Sequence, residues 1–164
     1  MTIITPLCLF GQDKNQPSAA EEAVKASLTD QEWALVDKEG NPVKRVRKLL
    51  DIAAYRLGQA QMFTAREQYS EASSLLESYT TIISYTMDLI DRLPENERKR
   101  QRSAYKEFDV QVRKQLQTLQ ELKRNLPVDN QAIENALFTA QRLRIIALNR
   151  FSGAEIIKVP EEKP

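Results

Sequence analysis

Two short runs of basic residues are the feature of this sequence most able to do chemistry, and that chemistry is the recognition of anions. VKRVRK occupies residues 43–48, and RKRQR occupies residues 98–102. Clustered Lys and Arg side chains bind nucleic acid, acidic lipid or acidic polysaccharide because they neutralise anionic groups and release their counterions. The whole chain carries 24 basic against 23 acidic residues, so a basic surface can arise only where the chain gathers these runs locally.

Most catalytic chemistry is excluded by composition. Histidine is absent, and Cys8 is the single cysteine. The chain therefore lacks a nucleophile paired with imidazole, an imidazole general base, a Glu-x-x-His di-iron motif and the usual ligands of zinc. It also lacks a glycine-rich phosphate loop. We predict a non-enzymatic protein with no catalytic residue, no metal and no cofactor; an enzyme that relies on carboxylates alone is the alternative left open.

Residues 1–12, MTIITPLCLFGQ, are apolar and uncharged, and the polar stretch DKNQPSAAEE follows them directly. Such a break is typical of the end of a secretory signal peptide, although the basic region that normally precedes the apolar one is missing. An apolar segment docked on the folded domain is the alternative. The Leu before Cys8 argues against a lipoprotein. We expect a periplasmic or secreted protein, with a cytoplasmic location as the alternative, and no transmembrane segment, since no run approaches about 20 apolar residues.

Helical signals dominate the rest of the chain. Residues 13–40 form a short lead-in, in which Ser18 with Glu21 and Thr29 with Glu32 have the spacing of a capping box. Trp33 is expected to lie across the main domain as a hydrophobic clasp. Residues 41–153 are predicted to form the main domain, and residues 154–164 a flexible tail.

The main domain shows four long segments of helical periodicity. The first begins with Asn41 as N-cap and Pro42 at the first helical position, and the second ends at Pro94. The third runs from about Glu95 to Leu126, and the fourth ends just before Gly153 after a cap at residue 129 or 130. We predict an all-α fold: an antiparallel up-down bundle of four long helices with a short helical lead-in.

The boundary between the first two helices rests on one irregular step. Apolar residues recur at intervals of three and four up to Ala60, and the next is Ala65. A step of five would turn the apolar face by about 100° on a continuous helix. The good helix formers of this stretch favour one rod of about 78 Å, whereas helices of matched length favour a turn near Arg66 to Gln68. We predict the turn.

The same periodicity predicts which side chains form the core. Two methionines, Met62 and Met87, are expected to fill gaps in it. The predicted core residues are Leu76, Tyr79, Ile83, Val112, Leu119, Leu137 and Ala140.

One stretch, YRLGQAQMFTAREQYSEASSLLESY, resembles a tetratricopeptide hairpin, with Leu57-Gly58 in its first helix and Tyr69 to Ala72 opening its second. The interval between them is about two residues longer than in that family, and no second copy is present, so the family's peptide-binding role is not carried over. The wider layout of an apolar leader, an Asn-Pro-Val-Lys-Arg helix start and tandem hairpins is similar to uncharacterised exported helical proteins of bacteria. That resemblance implies a shape and a compartment, and no activity.

Two functions compete. The first is a non-enzymatic helical module that binds another protein, its own copy or an envelope component, as a monomer or weak homodimer. The second is recognition of an anionic polymer through a basic end-face, which an up-down bundle would assemble from the ends of its helices. Asp51, Asp91, Glu95 and Glu97 would offset part of the charge. Arg150 would join this end-face, and its predicted anion-binding residues are Lys44, Arg45, Arg47, Lys48, Arg92, Arg98, Lys99, Arg100 and Arg102.

Overall fold

The computed structural model of the chain describes residues 18–161, and this part is all-α, as the sequence predicts. No strand occurs within it, and none of its helices has the length and apolar character needed to cross a membrane. The predicted signal segment, with Cys8, lies outside the described residues. The helices are α1 (Ala19–Ser27), α2 (Asp30–Asp37), α3 (Pro42–Ala65), α4 (Tyr69–Asp91), α5 (Arg98–Asn125) and α6 (Gln131–Ser152), with a 3₁₀ turn at Glu95–Glu97 before α5.

Local capping residues define the starts and ends of the helices. The side-chain oxygen of Asn41 accepts hydrogen bonds from two backbone N–H groups at the start of α3, where Pro42 needs no partner for its nitrogen. Asn130 caps α6 through the N–H of Ile133, and Gly153 ends that helix with a φ of 78°. The third long helix differs from the prediction, because the 3₁₀ turn replaces its first three residues.

Two short helices make up the lead-in. Thr29 and Glu32 form the complete reciprocal capping box of α2, whereas Ser18 caps α1 through the N–H of Glu21 alone. The first helix packs on α4 and the second on α3. Trp33 is half-buried against the core, with its ring centroid 6.4 Å from that of Tyr85. The tryptophan thus fastens the lead-in to the main domain.

The predicted turn between the first two long helices is confirmed. The carbonyl oxygen of Phe63 accepts hydrogen bonds from the N–H groups of both Arg66 and Gln68, and Glu67 between them has a left-handed φ of 60°. These bonds terminate α3 and redirect the chain into α4. Ala65, which the periodicity assigned to the apolar face of the second helix, is instead the exposed last residue of α3.

The four long helices enclose one core. Here α3 packs against α4 and α5, and α6 packs against the same two helices. All seven predicted core residues are buried, and so is Met87. The prediction for Met62 is wrong, because its side chain is 56% exposed. Met62 lies two residues from the buried Ala60, which places it about 200° around the helix and therefore on the opposite face.

A buried polar connection crosses this core. Gln115 interrupts the apolar face of α5, and its amide nitrogen donates to the carbonyl oxygen of Leu50 in α3 at 2.9 Å. The hydroxyl of Tyr79 in α4 donates to the amide oxygen of Gln115 at 3.2 Å. Three helices therefore share one side-chain amide whose nitrogen and oxygen each have a hydrogen-bond partner.

The chain after α6 folds back on that helix. Asn149 donates from its side chain to the carbonyl oxygen of Ile157 and accepts from the N–H groups of Ile156 and Ile157. One side chain thereby fixes the backbone at Ile156 and Ile157, within the segment predicted as a flexible tail.

Candidate functional site

The two basic runs lie near one another. Arg47 in α3 forms two hydrogen bonds of 3.0 and 3.1 Å to the carboxylate of Glu107 in α5. Glu107 is only about 10 Å along α5 from Arg100, so the separation of Arg47 and Arg100 is well below the roughly 75 Å that a continuous rod would give. The arginine holds the pKa of Glu107 below its ordinary value.

In the first basic run, residues 43–48, the side chains of Arg45 and Lys48 donate hydrogen bonds to carbonyl and carboxylate oxygens of the chain. Lys48 forms an ion pair of 3.1 Å with Glu39 and donates to the carbonyl oxygen of Leu35. Arg45 donates to the carbonyl oxygens of Glu39 and Asp37. These contacts fasten the end of α2 to the start of α3, which is a structural role.

The second run and Arg92 are also paired, though more weakly, because these side chains are exposed. Lys44 and Lys99 make no ion pair with the residues that the structure describes. The structure thus brings the two basic runs near one another, and three acids that the sequence reasoning did not pair with them, Glu39, Asp88 and Glu107, offset more of their charge. The pairs at this second run are Arg92–Asp88, Arg98–Glu95 and Arg100–Glu97.

A pocket of about 490 Å³, which we call the end pocket, opens between the start of α5 and the end of α6. Arg102 donates to the carbonyl oxygen of Phe151 at 2.9 Å and lies over its ring. Arg150 pairs with Asp91, which also accepts a 2.7 Å hydrogen bond from the hydroxyl of Tyr105. The residues that line the pocket are Arg98, Gln101, Arg102, Tyr105, Arg150, Phe151, Ser152 and Gly153.

A second candidate surface, which sequence reasoning missed, lies on α3. The side chains of Tyr55 and Met62 are 60% and 56% exposed, and Gly58 lies between them on the same side of the helix. Together with neighbouring residues they border a shallow groove of about 390 Å³. We call the strip formed by Asp51, Tyr55, Gly58, Met62 and Arg66 the outer face of α3.

No described residue packs closely over Gly58. Glycine within a helix costs about 1 kcal/mol relative to alanine. Among residues 18–161, a Cβ atom added to Gly58 would meet nothing within 4 Å, so packing within this part of the chain does not require a glycine. The exposed glycine lets another molecule approach the backbone of α3 closely.

Comparison with known protein families gives a match for this chain. The family model described as Domain of unknown function (DUF5667) matches residues 36–129, which is more than half of the chain. The chain belongs to this family. It matches no curated protein and no solved structure.

The DUF5667 segment runs from the end of α2 through α5 and contains the whole outer face of α3. It includes the basic runs, but Arg150 and Phe151 of the end pocket lie beyond it. The outer face is therefore the candidate site that the family segment contains entirely.

Proposed function

We propose that this DUF5667 protein is a non-enzymatic helical module that binds a partner protein through the outer face of α3. The observation that carries the proposal is the pair of exposed side chains, Tyr55 and Met62, on either side of Gly58. Aromatic residues and Met are enriched in protein interfaces. An apolar groove on a helix fits a partner that presents an apolar helix of its own.

We also infer that the four long helices form an antiparallel up-down bundle, which would hold this face rigid. Support comes from contacts between α5 and α6: Arg102 with Phe151 near one end, and Lys123 with Glu134 near the other. As the residue number increases along α5, the number of its contact residue in α6 decreases, as expected for antiparallel helices. The three-residue connection between α3 and α4 suits the same reversal.

A location outside the cytoplasm belongs to the same proposal. It is supported by the apolar composition of residues 1–12 and by the resemblance of the layout to exported helical proteins of bacteria. Mass spectrometry of the protein from fractionated native cells tests it. A protein that retains residues 1–12 in the cytosolic fraction would contradict the location.

The binding role is tested by comparing two tagged variants in the native host. Tyr55→Glu with Met62→Glu introduces charge on the outer face, where both side chains are exposed and the fold is expected to tolerate the change. Val128→Glu is the matched control, because that side chain is fully exposed in the loop before α6. Quantitative mass spectrometry of crosslinked complexes then measures which proteins each variant retains, the untagged copy of this chain included.

We expect a partner that wild type and the Val128 variant retain and that the outer-face variant loses. Circular dichroism should show the same helical content in all three proteins. If the three proteins retain identical partners, the outer face of α3 is not the binding surface.

Recognition of an anionic polymer is the second candidate, and the specific observation that favours it is the presence of Arg98, Arg102 and Arg150 around one pocket. The bonds of Arg102 and Arg150 to Phe151 and Asp91 weigh against it. Arg98→Glu with Lys99→Glu should weaken heparin binding and reduce its salt dependence, whereas Arg124→Glu at the other end of α5 should not. Equal, salt-independent retention of all variants on heparin would exclude this candidate.

A further inference from the structure

We propose that the partner on the outer face of α3 is a second copy of this chain, bound with its α3 antiparallel and crossing at Gly58. This inference rests on the proposed function, since it names the occupant of the same surface. It follows from the order of residues along the outer face, which complements itself when the helix is reversed.

The apolar part of the face is self-complementary in size. Tyr55 and Met62 lie three and four residues from Gly58, on opposite sides of it. In a two-fold pair centred beside Gly58, Tyr55 meets the partner's Met62, and Met62 meets the partner's Tyr55. The two glycines face each other at the crossing point, where the absence of side chains lets the backbones approach. One contact is therefore made twice, as in an isologous interface.

The charged ends of the face are complementary in the same register. Asp51 and Arg66 lie four residues outside Tyr55 and Met62, respectively. The antiparallel pair places Asp51 opposite the partner's Arg66 at both ends of a seam about 22 Å long. A parallel pair would instead oppose Asp51 to its own copy, which is repulsive.

Within the described part of the chain, neither end charge of the outer face is held in an ion pair. Asp51 and Arg66 are exposed, and they form no ion pair with the residues that the structure describes; Asp51 contributes only a longer-range attraction to Arg47. As far as residues 18–161 are concerned, both side chains are available to a partner. A second copy of this chain presents an acid, a large side chain, a glycine, a second large side chain and a base in the order that an antiparallel partner of this face needs.

Sedimentation equilibrium of the full chain at low salt tests the dimer. We expect a monomer–dimer equilibrium in wild type and in the Val128→Glu control. Met62→Glu should weaken dimerisation at least tenfold, because the substitution places a charge in both of the symmetry-related contacts with Tyr55. Circular dichroism and thermal melts of each protein verify that the variants are folded.

Charge exchange tests the antiparallel register. Asp51→Arg and Arg66→Asp should each weaken self-association, because each variant opposes like charges at both ends of the seam. An equimolar mixture of the two variants should associate at least as well as wild type, since every opposed pair is then of opposite charge. The control is Asp129→Arg, because Asp129 is exposed and lies outside α3. This variant should not weaken self-association, and mixing it with either charge variant should not restore association.

Gly58→Ala separates the interface from the fold. The added methyl meets none of the described residues within 4 Å, so the variant should raise the melting temperature measured at protein concentrations below the dimer dissociation constant. The same methyl lies at the helix crossing and should weaken dimerisation severalfold. A variant that is both more stable and less associated supports the proposal.

The inference is overturned if wild type is monomeric at every concentration tested, or if the dimer is indifferent to Met62→Glu and to the charge exchange. In either case the proposed function still stands when the outer-face variant loses a different protein in the native-host comparison. If that comparison also shows no partner that depends on the outer face, both proposals fail.

Discussion

The guanidinium of Arg56 in α3 holds both oxygens of the Glu32 carboxylate in α2, at distances of 2.6 and 3.0 Å. Only 8% of Arg56 is exposed, and it also donates to the carbonyl oxygen of Ser27, the last residue of α1. Glu32 accepts a further hydrogen bond from the N–H of Thr29. This pair therefore attaches both helices of the lead-in to the main domain, in addition to the ion pair between Lys48 and Glu39.

Removing one side of this pair should destabilise the protein. Arg56→Met leaves the half-buried carboxylate of Glu32 without its cation, and we expect a loss of about 1.5–3 kcal/mol in the free energy of unfolding, the range for hydrogen bonds to charged groups. Urea denaturation measures the loss. The double variant Arg56→Met with Glu32→Leu should recover part of it, because no unpaired charge remains. A loss below about 0.5 kcal/mol for Arg56→Met would mean that water replaces the pair without cost.

Acid should loosen the contact between α2 and α3 at Glu32 before the core unfolds. Burial alone would raise the pKa of Glu32, but hydrogen bonds from Arg56 and from the backbone of Thr29 outweigh it and hold the pKa below its ordinary value. The pair thus contributes its full stability above the unfolded pKa of about 4.3, and this contribution is lost as the pH falls through the lowered folded value. Trp33, the neighbour of Glu32 and the only tryptophan of the chain, reports the change by fluorescence.

Glu32→Gln is the control for this titration. The amide cannot titrate, so the step in Trp33 fluorescence below about pH 4.3 should disappear in the variant. Identical fluorescence profiles for wild type and variant would assign the acid transition to other carboxylates.

The buried amide of Gln115 gives a third prediction. Tyr79→Phe removes the hydroxyl that donates to Gln115 and should cost about 0.5–1.5 kcal/mol. A double-mutant cycle with Gln115→Leu should then show coupling of similar size, since the two changes remove the same bond. Additive losses from the two substitutions would show that the bond contributes nothing in solution.

A fourth prediction contrasts a core residue with an outer-face residue. Leu76→Ala should lower the free energy of unfolding by about 2–5 kcal/mol, because the side chain is fully buried. Met62→Ala should change it by less than about 0.5 kcal/mol when measured on the monomer. Equal losses in chemical denaturation would refute the assignment of Met62 to the solvent side.

Local signals made much of the fold predictable. Asn41 and Pro42 at the start of α3, and Gly153 at the end of α6, act through bonds within a few residues, so their neighbours in sequence determine their effect. The turn at residues 66–68 was predicted from an irregular step in the apolar pattern together with the matched helix lengths that a turn there gives, although local helix propensity favoured one rod. The burial of Leu76 was predicted from the regular spacing of apolar residues around it in the sequence.

Contacts between distant residues were not predictable in the same way. Arg47 meets Glu107 across 60 positions, and nothing near either residue indicates the pairing, which depends on which helices are neighbours. Met62 was misplaced because its residue type suggested the core, whereas its angular position on α3 places it outside. Tyr55 and Gly58, at matching positions on the same face, carried the signal that could have corrected it.

The side chain of Gln115 determines how two halves of the chain, residues 42–91 and 98–152, are aligned along their helix axes. Aliphatic layers alone would tolerate sliding of one half along the other, because similar side chains repeat along each helix. A slide of one turn, about 5.4 Å, would break the bonds of Gln115 to Leu50 and Tyr79 and leave buried polar groups unpaired. This amide therefore sets the alignment of the two halves, while burial of the apolar side chains around it stabilises their packing.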